Sequence, residues 1–273
     1  MRSTNGFLRI ALDLDLDLAY LNAKYPGVSS KCSAKLLRTL VGPLRGRVLH
    51  HAIRVDRARA ARLLSRLPEL QRVFIEYNRQ SQSARVKVND YVRLYWAIRN
   101  LKPTVVLECG TGLSTTAIGV ALKHNHEAHE GSGICISMEE STKWCEHAQK
   151  LLPRQIEEYV RIIVSPKVEK EHNGLRGVCY ESIPDQRCEF VFVDGPTESS
   201  PVTGEELFDM DLIHIAQKNP SVQAFIDHRL NTIRCLKKAL QQTHHVTYNP
   251  ITKLGHVYPK ARYKRARILV ADK

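Results

Sequence analysis

The sequence predicts an α/β fold in which a mostly parallel sheet is covered by helices on both faces, with a basic, mainly helical extension before it. Short apolar runs alternate with helical patterns from residue 89 onward, and a glycine-rich turn follows the first of these runs. The 273 residues are enough for one such domain and an appendage. Because residues 78–83 form a polar, linker-like stretch, we predict the extension over residues 1–82 and the α/β domain over residues 83–273.

The composition is typical of a globular protein rather than a membrane or disulfide-rich one. Hydrophobic residues make up 43% and charged residues 25%, and no apolar run approaches the ~20 residues that span a bilayer. Asp13, Asp15 and Asp17 interrupt the apolar stretch near the start, so we expect no signal peptide and a cytoplasmic location. The seven cysteines include no C-x-x-C pair, and we expect them to be free thiols.

The positive charge is concentrated in the first third of the chain. Residues 1–101 contain 19 Lys and Arg against seven Asp and Glu, a net charge of +12, whereas the remainder is nearly neutral at +1. A basic surface attracts anionic partners such as nucleic acid, but an arginine-rich helix exposed to solvent has the same composition. Both interpretations stay open at this point.

Helical patterns dominate the extension. Residues 34–80 include segments rich in Ala, Leu and Arg, interrupted at Pro68, and we predict helices there. Before them, residues 12–18 alternate Leu with Asp, a pattern typical of a half-buried strand.

Seven strands and five helices are predicted in the α/β domain. The strands are short apolar runs bounded by glycine, proline or polar residues, and we place them at 105–107, 134–138, 160–164, 190–193, 222–226, 245–248 and 267–270. The helices have apolar stripes at helical spacing, and Ser114 and Ser141 can cap two of them. We place the helices at 89–101, 114–123, 141–152, 205–217 and 230–240.

A glycine-rich turn joins the first strand to its helix. Glycine allows a ligand to approach the backbone closely, and the start of the next helix offers unpaired N–H groups. Glu108 lies two residues before Gly110, where a carboxylate can face a cationic group of a ligand. The third glycine of a G-x-G-x-x-G motif would fall at position 115, where this chain has Thr115. A threonine suits tight packing at a pyrophosphate site less well than a glycine does. The predicted cofactor-binding residues of this turn are Glu108, Gly110, Thr111, Gly112, Ser114 and Thr115.

An acidic residue also ends the second strand. A carboxylate at this place can accept hydrogen bonds from both hydroxyls of a ribose. Glu139 and Glu140 compete for the role, and the alternation of the strand favours Glu139.

Two further candidates follow later strands. Asp194 ends the strand 190–193, at the edge where open α/β sheets bind ligands, and it can act as a base, a metal ligand or a contact of the cofactor. His228 follows the strand 222–226, and a histidine suits proton abstraction near neutral pH. We predict Asp194 and His228 as catalytic residues, although a helix-start residue is an equally simple explanation of His228.

These motifs resemble those of class I, Rossmann-like S-adenosylmethionine-dependent methyltransferases. The run 107–115 resembles motif I of the branch with E-x-G-x-G-x-S-T, the run 137–144 its second motif, and the run 193–196 its fourth. The resemblance covers residues 89–273 and implies a seven-stranded sheet with an antiparallel last strand. It also implies S-adenosylmethionine as cofactor, with Glu108 near the amino group of its methionine part and Glu139 at its ribose.

The chain also departs from the family pattern. The Asn/Asp-Pro-Pro-Tyr signature of amino-group methyltransferases is absent, because Gly195 follows Asp194, and this favours oxygen as the acceptor atom. Some O-methyltransferases of this fold bind a divalent metal, and Asp194, Asp227 and Asn231 resemble that set of ligands. Mg²⁺ would suit these oxygen ligands, but we favour a site without metal.

The leading hypothesis is a methyltransferase that acts on a hydroxyl of a small molecule or glycan. The alternative is an RNA methyltransferase that binds nucleic acid through the basic N-terminal region. A nicotinamide-dependent oxidoreductase and a non-catalytic binding protein remain as further hypotheses. The sequence predicts no transmembrane segment and leaves the oligomeric state undetermined.

Overall fold

A computed structural model of the protein describes residues 31–81 and 88–262, with side chains from residue 46 to residue 261 outside the gap. The chain divides into two compact units, residues 1–58 and residues 59–273. The strands predicted at 12–18 and 267–270 lie outside the described residues. The predicted domain boundary between residues 82 and 83 falls in the gap and stays a prediction.

The helices predicted over residues 34–80 are confirmed. Helix α1 is Lys31–Leu64 and helix α2 is Pro68–Gln80, with Pro68 in the first turn, where its missing N–H costs no hydrogen bond. Helix α2 buries Leu70, Val73, Phe74 and Tyr77, one face at helical spacing.

The larger unit is built on a seven-stranded sheet with the order β3-β2-β1-β6-β7-β9-β8. Its strands are β1 (Val105–Cys109), β2 (Ile134–Glu139), β3 (Val160–Val164), β6 (Phe190–Val193), β7 (Gln223–Asp227), β8 (His244–Asn249) and β9 (Leu254–Pro259). The first five of these pair in parallel, and β9 lies antiparallel between β7 and β8. The predicted α/β class and the antiparallel last strand are therefore confirmed.

Helices cover both faces of this sheet. They are α3 (Val88–Leu101), α4 (Leu113–Glu127), α5 (Thr142–Leu151), α6 (Asp211–Lys218) and α7 (Leu230–Ala239), with short 3₁₀ helices at Arg154–Tyr159 and Lys260–Arg262. One buried cluster packs α2, α3 and α4 against strands, and a second packs α6 and α7 against strands. Burial on both faces explains why the central strands are continuous apolar runs.

A hairpin that the sequence analysis missed follows the third strand of the sheet. Strands β4 (Lys167–His172) and β5 (Leu175–Tyr180) pair antiparallel as a separate two-stranded sheet. Asn173 and Gly174 form its two-residue turn with φ of 51° and 76°. Asn-Gly is the strongest short-range signal for such a turn, so the sequence did contain the information.

One predicted element needs correction, and one strand was not predicted. The last described strand of the sheet is Leu254–Pro259, which the sequence analysis missed. The helix predicted at 205–217 begins only at Asp211, because the preceding backbone is bonded to β5: the N–H of Val178 donates to Phe208 O (2.8 Å), and the N–H of Met210 donates to Val178 O (2.9 Å).

Two further findings concern the described helices and cysteines. No helix among them is both long and apolar enough to cross a membrane. The six cysteines with described side chains are all free thiols, and five of them are buried.

Two glycines bring the turns after β1 and β6 into direct backbone contact. A Cβ added at Gly195 would lie 2.6 Å from Gly110 Cα, and a Cβ added at Gly110 would lie 2.8 Å from the Asp194 carbonyl carbon. Gly110 also has φ of 93°, a conformation that side chains disfavour. The contact therefore requires glycine on both sides.

We predict that Gly110→Ala lowers the free energy of unfolding by about 2–5 kcal/mol, because overpacking adds to backbone strain. Gly112→Ala is the matched control, since a Cβ at Gly112 meets nothing within 4 Å. Its free energy of unfolding should stay within about 0.5 kcal/mol of wild type. Urea unfolding followed by circular dichroism measures both, and equal stabilities of the two variants would contradict the prediction.

Candidate functional site

The turn after β1 is the centre of the site. The N–H of Gly110 donates to Met138 O (2.9 Å) at the end of β2, and the N–H of Asp194 donates to Cys109 O (2.8 Å) at the end of β1. The carboxyl ends of β1, β2 and β6 therefore meet at one edge of the sheet. Open parallel sheets bind their ligands at this edge.

Glu108 is a carboxylate with no exposed surface. Its Oε2 accepts hydrogen bonds from Thr115 Oγ1 (2.5 Å) and Ser137 Oγ (2.6 Å), whereas Oε1 is buried without a partner. Burial raises the pKa of Glu108 to about 7, although the hydroxyl groups of Ser114, Ser137 and Thr115 act in the opposite direction. A buried acceptor without a partner is costly, and a cationic donor would remove that cost.

The other residues of the glycine-rich turn support Glu108 and the backbone. Thr115 Oγ1 accepts a hydrogen bond from the N–H of Gly112 (2.9 Å) and lies 3.2 Å from Thr111 Oγ1. Ser114 is buried, and its influence lowers the pKa of Glu108. Gly112 is the member of the motif whose Cβ position opens into free space. The hydroxyl group of Thr115 is thus directed at protein atoms in this structure.

Glu139 and Glu140, the two rivals at the end of β2, have different surroundings. Glu139 is almost buried, and its two oxygens accept from the N–H groups of Thr111 (3.4 Å) and Ser141 (3.1 Å). Burial raises its pKa. Glu140 is bonded to the turn after β6, because its Oε1 accepts from the N–H of Thr197 (2.9 Å) and its Oε2 lies 3.3 Å from Lys167 Nζ. Glu139 therefore borders the glycine-rich turn, whereas Glu140 holds a neighbouring loop.

Asp194 is exposed at the end of β6, and a cis peptide bond joins the next two residues, Gly195 and Pro196. Its carboxylate is close enough to influence two other groups, since it raises the pKa of both Glu108 and Tyr91. Asp194 and Glu108 thus lie in one electrostatic neighbourhood.

His228 is exposed on the turn after β7. Its Nδ1 lies 3.1 Å from the hydroxyl oxygen of Tyr248, and the two rings are stacked. The residue before it, Asp227, raises the pKa of Tyr91, which Asp194 also does. Asp194, Asp227 and His228 therefore lie at the same edge of the sheet.

The ligand set suggested for a metal is only partly assembled. Asn231 Nδ2 donates to Leu207 O (3.2 Å), so its amide is engaged on another segment. Within the part of the chain that the structure describes, no three His, Cys, Asp or Glu residues are grouped as metal ligands would be.

Two tyrosines near the site were missed by the sequence analysis. Tyr77, on α2, is buried, and burial together with the charges of Glu108 and Glu139 raises its pKa to about 12. Tyr91, on α3, packs edge-on against Phe74 at 5.8 Å, and burial raises its pKa further than that of Tyr77. The helical spacing of apolar residues over 89–101 places Tyr91 on the apolar face of α3. That spacing gives no sign that Asp194 and Asp227, which are distant in sequence, influence its pKa.

Comparisons with known proteins find similarity in structure only. No protein-family model and no curated protein matches the sequence. Among solved structures, an SAH-bound methyltransferase from Podospora anserina is 14% identical with a TM-score of 0.45, over 70% of this chain and 87% of that one. An O-methyltransferase from Bacillus cereus in complex with SAH is 16% identical with a TM-score of 0.43, over 70% and 90%. A methyltransferase from Geobacter sulfurreducens is 12% identical with a TM-score of 0.42, over 71% and 88%.

We predict that the contribution of Glu108 to stability depends on pH. The folded state keeps a proton up to about pH 7, whereas the unfolded state loses it near the ordinary value of 4.5. The stabilisation that this proton contributes to the folded state is fully present below pH 4.5, and it is lost as the pH rises through 7. Glu108→Gln does not titrate, so its stability relative to wild type should rise by up to about 3 kcal/mol between about pH 5 and pH 8.

Glu130→Gln is the control for this measurement, because Glu130 is on the surface and its pKa is lowered by Lys102. Its stability relative to wild type should be constant over the same range. Urea unfolding at several pH values measures the differences. A difference between Glu108→Gln and wild type that does not vary with pH would show that Glu108 is ionised in the folded state.

Proposed function

We propose that the chain is an S-adenosylmethionine-dependent methyltransferase that acts on a hydroxyl group of a small molecule or glycan. The observation that carries the proposal is the buried, unpartnered Oε1 of Glu108 beside a glycine-rich turn. The order of the seven-stranded sheet, with its antiparallel strand β9, supports the same class of enzyme.

The charge at this edge favours S-adenosylmethionine over a nicotinamide dinucleotide. Glu108, Glu139, Asp194 and Asp227 lie around the turns after four neighbouring strands. S-adenosylmethionine has a positive sulfonium and a positive amino group, which these carboxylates attract. The pyrophosphate of a dinucleotide is negative, and Coulomb repulsion would oppose its binding at the same turn.

The residues of the turn fit the proposed cofactor. When bound, it supplies a methyl group activated by the sulfonium charge. Glu108 would accept a hydrogen bond from its amino group, and Gly112 leaves space beside the backbone. Each oxygen of Glu139 accepts one backbone hydrogen bond, which leaves lone pairs for the two hydroxyls of a ribose. Gly110, Thr111, Ser114 and Thr115 would complete the site by fixing the turn.

Asp194 is our candidate for the base that accepts the proton of the acceptor hydroxyl. It is exposed, it ends a central strand, and it lies in the electrostatic neighbourhood of Glu108. His228 is the second candidate, because an imidazole can accept a proton near neutral pH and this ring is exposed. Transfer to oxygen requires the acceptor to be held in line with the methyl group, and the base removes the charge that develops on it. No metal is required in this scheme.

Methylation of RNA is the second candidate, and the exposed basic side chains of α1 favour it. Arg47, Arg54, Arg57 and Arg62 are exposed on the helix. If they bind phosphate groups, RNA affinity should fall steeply with salt concentration.

A cytoplasmic location is also part of the proposal, because buried free thiols persist in a reducing compartment.

We predict that purified protein binds S-adenosylhomocysteine (SAH), the product form of the cofactor, and prefers it to NAD. Glu139→Gln should weaken SAH binding by on the order of 1–3 kcal/mol, because one acceptor of the ribose hydroxyls becomes a donor. Glu140→Gln is the matched control, since a glutamine oxygen can still accept from Thr197. Its affinity should stay close to that of wild type.

Calorimetric titration measures both ligands on the three proteins. Binding of NAD in preference to SAH would reject the methyltransferase proposal in favour of an oxidoreductase. Transfer of a labelled methyl group to phenols, glycans or RNA then identifies the acceptor.

A further inference from the structure

Arg229 connects the turn after β7 to the turn after β6. Its Nη1 donates to Pro196 O (2.6 Å), and its Nη2 donates to Asp194 O (2.5 Å). Both acceptors are backbone carbonyls, so these bonds fix the path of the chain on either side of Gly195. The carbonyl of Arg229 accepts from the N–H of Ile233 (2.9 Å) at the start of α7, which anchors the arginine itself.

The path fixed by Arg229 is also the one that contacts the glycine-rich turn. Gly195 packs directly on Gly110, with no room for a Cβ on either residue. A shift of the Asp194–Pro196 segment would therefore move the turn that carries the proposed cofactor contacts. It would also move the carboxylate of Asp194.

The charge of Arg229 also acts on a buried acidic residue, Asp209. Asp209 has no exposed surface, and the positive charge of Arg229 acts on it: burial raises the pKa of Asp209, and Arg229 lowers it. Asp211 is buried beside Asp209, and its N–H donates to Asp209 Oδ1 (2.9 Å). Arg229 is thus bonded to two backbone carbonyls and lies near enough to Asp209 to lower its pKa.

We propose that Arg229 is a positioning residue, which holds the Asp194–Pro196 segment against the glycine-rich turn and thereby sets cofactor affinity. The inference rests on the proposed function for its effect on the cofactor, but not for its effect on the segment. A guanidinium suits the task because its planar fork presents two N–H donors at fixed geometry, whereas a lysine ammonium offers point contacts.

Arg229→Ala tests the proposal, with Arg229→Lys as the conservative variant. Arg234→Ala is the matched control, because Arg234 is an exposed arginine on α7, the helix that follows Arg229 directly. Hydrogen–deuterium exchange of peptides covering residues 194–200 reports on the segment, and calorimetry reports on SAH affinity. Each is measured with and without millimolar guanidinium chloride, against sodium chloride at the same ionic strength.

We expect Arg229→Ala to exchange faster over residues 194–200 and to bind SAH about tenfold or more weakly. Added guanidinium should restore both the slow exchange and the SAH affinity of Arg229→Ala. Arg229→Lys should lose less of each than Arg229→Ala does, and Arg234→Ala should resemble wild type. A folded Arg229→Ala variant with unchanged exchange and unchanged affinity would overturn the proposal, as would losses that guanidinium does not reverse. If wild type binds no SAH, the proposed function fails, and exchange over residues 194–200 still decides the role of Arg229.

Discussion

A buried carboxylate at the end of the central strand is the constraint on which the site depends. Glu108 has no exposed surface, and two hydroxyl groups satisfy only one of its oxygens. In the folded protein alone, burial disfavours the charged form of this carboxyl group. The pKa of Glu108 is therefore raised to about 7. A cationic ligand would change that balance, because it supplies both the missing donor and the opposite charge. The same feature that costs stability in the protein alone would therefore strengthen ligand binding.

Backbone packing between neighbouring turns determines the surroundings of Glu108. Gly110 and Gly195 allow the turns after β1 and β6 to touch, and the hydrogen bonds of Arg229 hold the second turn in this position. Glu140 and Lys167 add a further connection between the turns after β2 and β6. Apart from Gly110, these contacts are made by residues to which we assign no contact with the cofactor. They explain how four turns, each short and local, meet at one edge of the sheet.

Local signals in the sequence predicted the elements, the glycine-rich turn and the order of the acidic residues. Apolar runs, capping residues and glycines act over a few positions, so they can be interpreted without a structure. The contributions of Tyr77, Tyr91 and Arg229 could not be predicted, because each depends on contacts between segments distant in sequence. The hairpin at Asn173 and Gly174 is different, because its signal, an Asn-Gly pair between two strands, is local in sequence.

When a cationic cofactor binds, Glu108 should release its proton to the solvent and pair with the ligand as a carboxylate. Calorimetry of SAH binding at about pH 6.5, in buffers of different ionisation enthalpy, measures this proton directly. We predict a net release of between about half a proton and one proton by wild type, and none by Glu108→Gln. Binding without proton release, or equal release by the two proteins, would contradict the claim and assign the buried carboxylate a purely structural role.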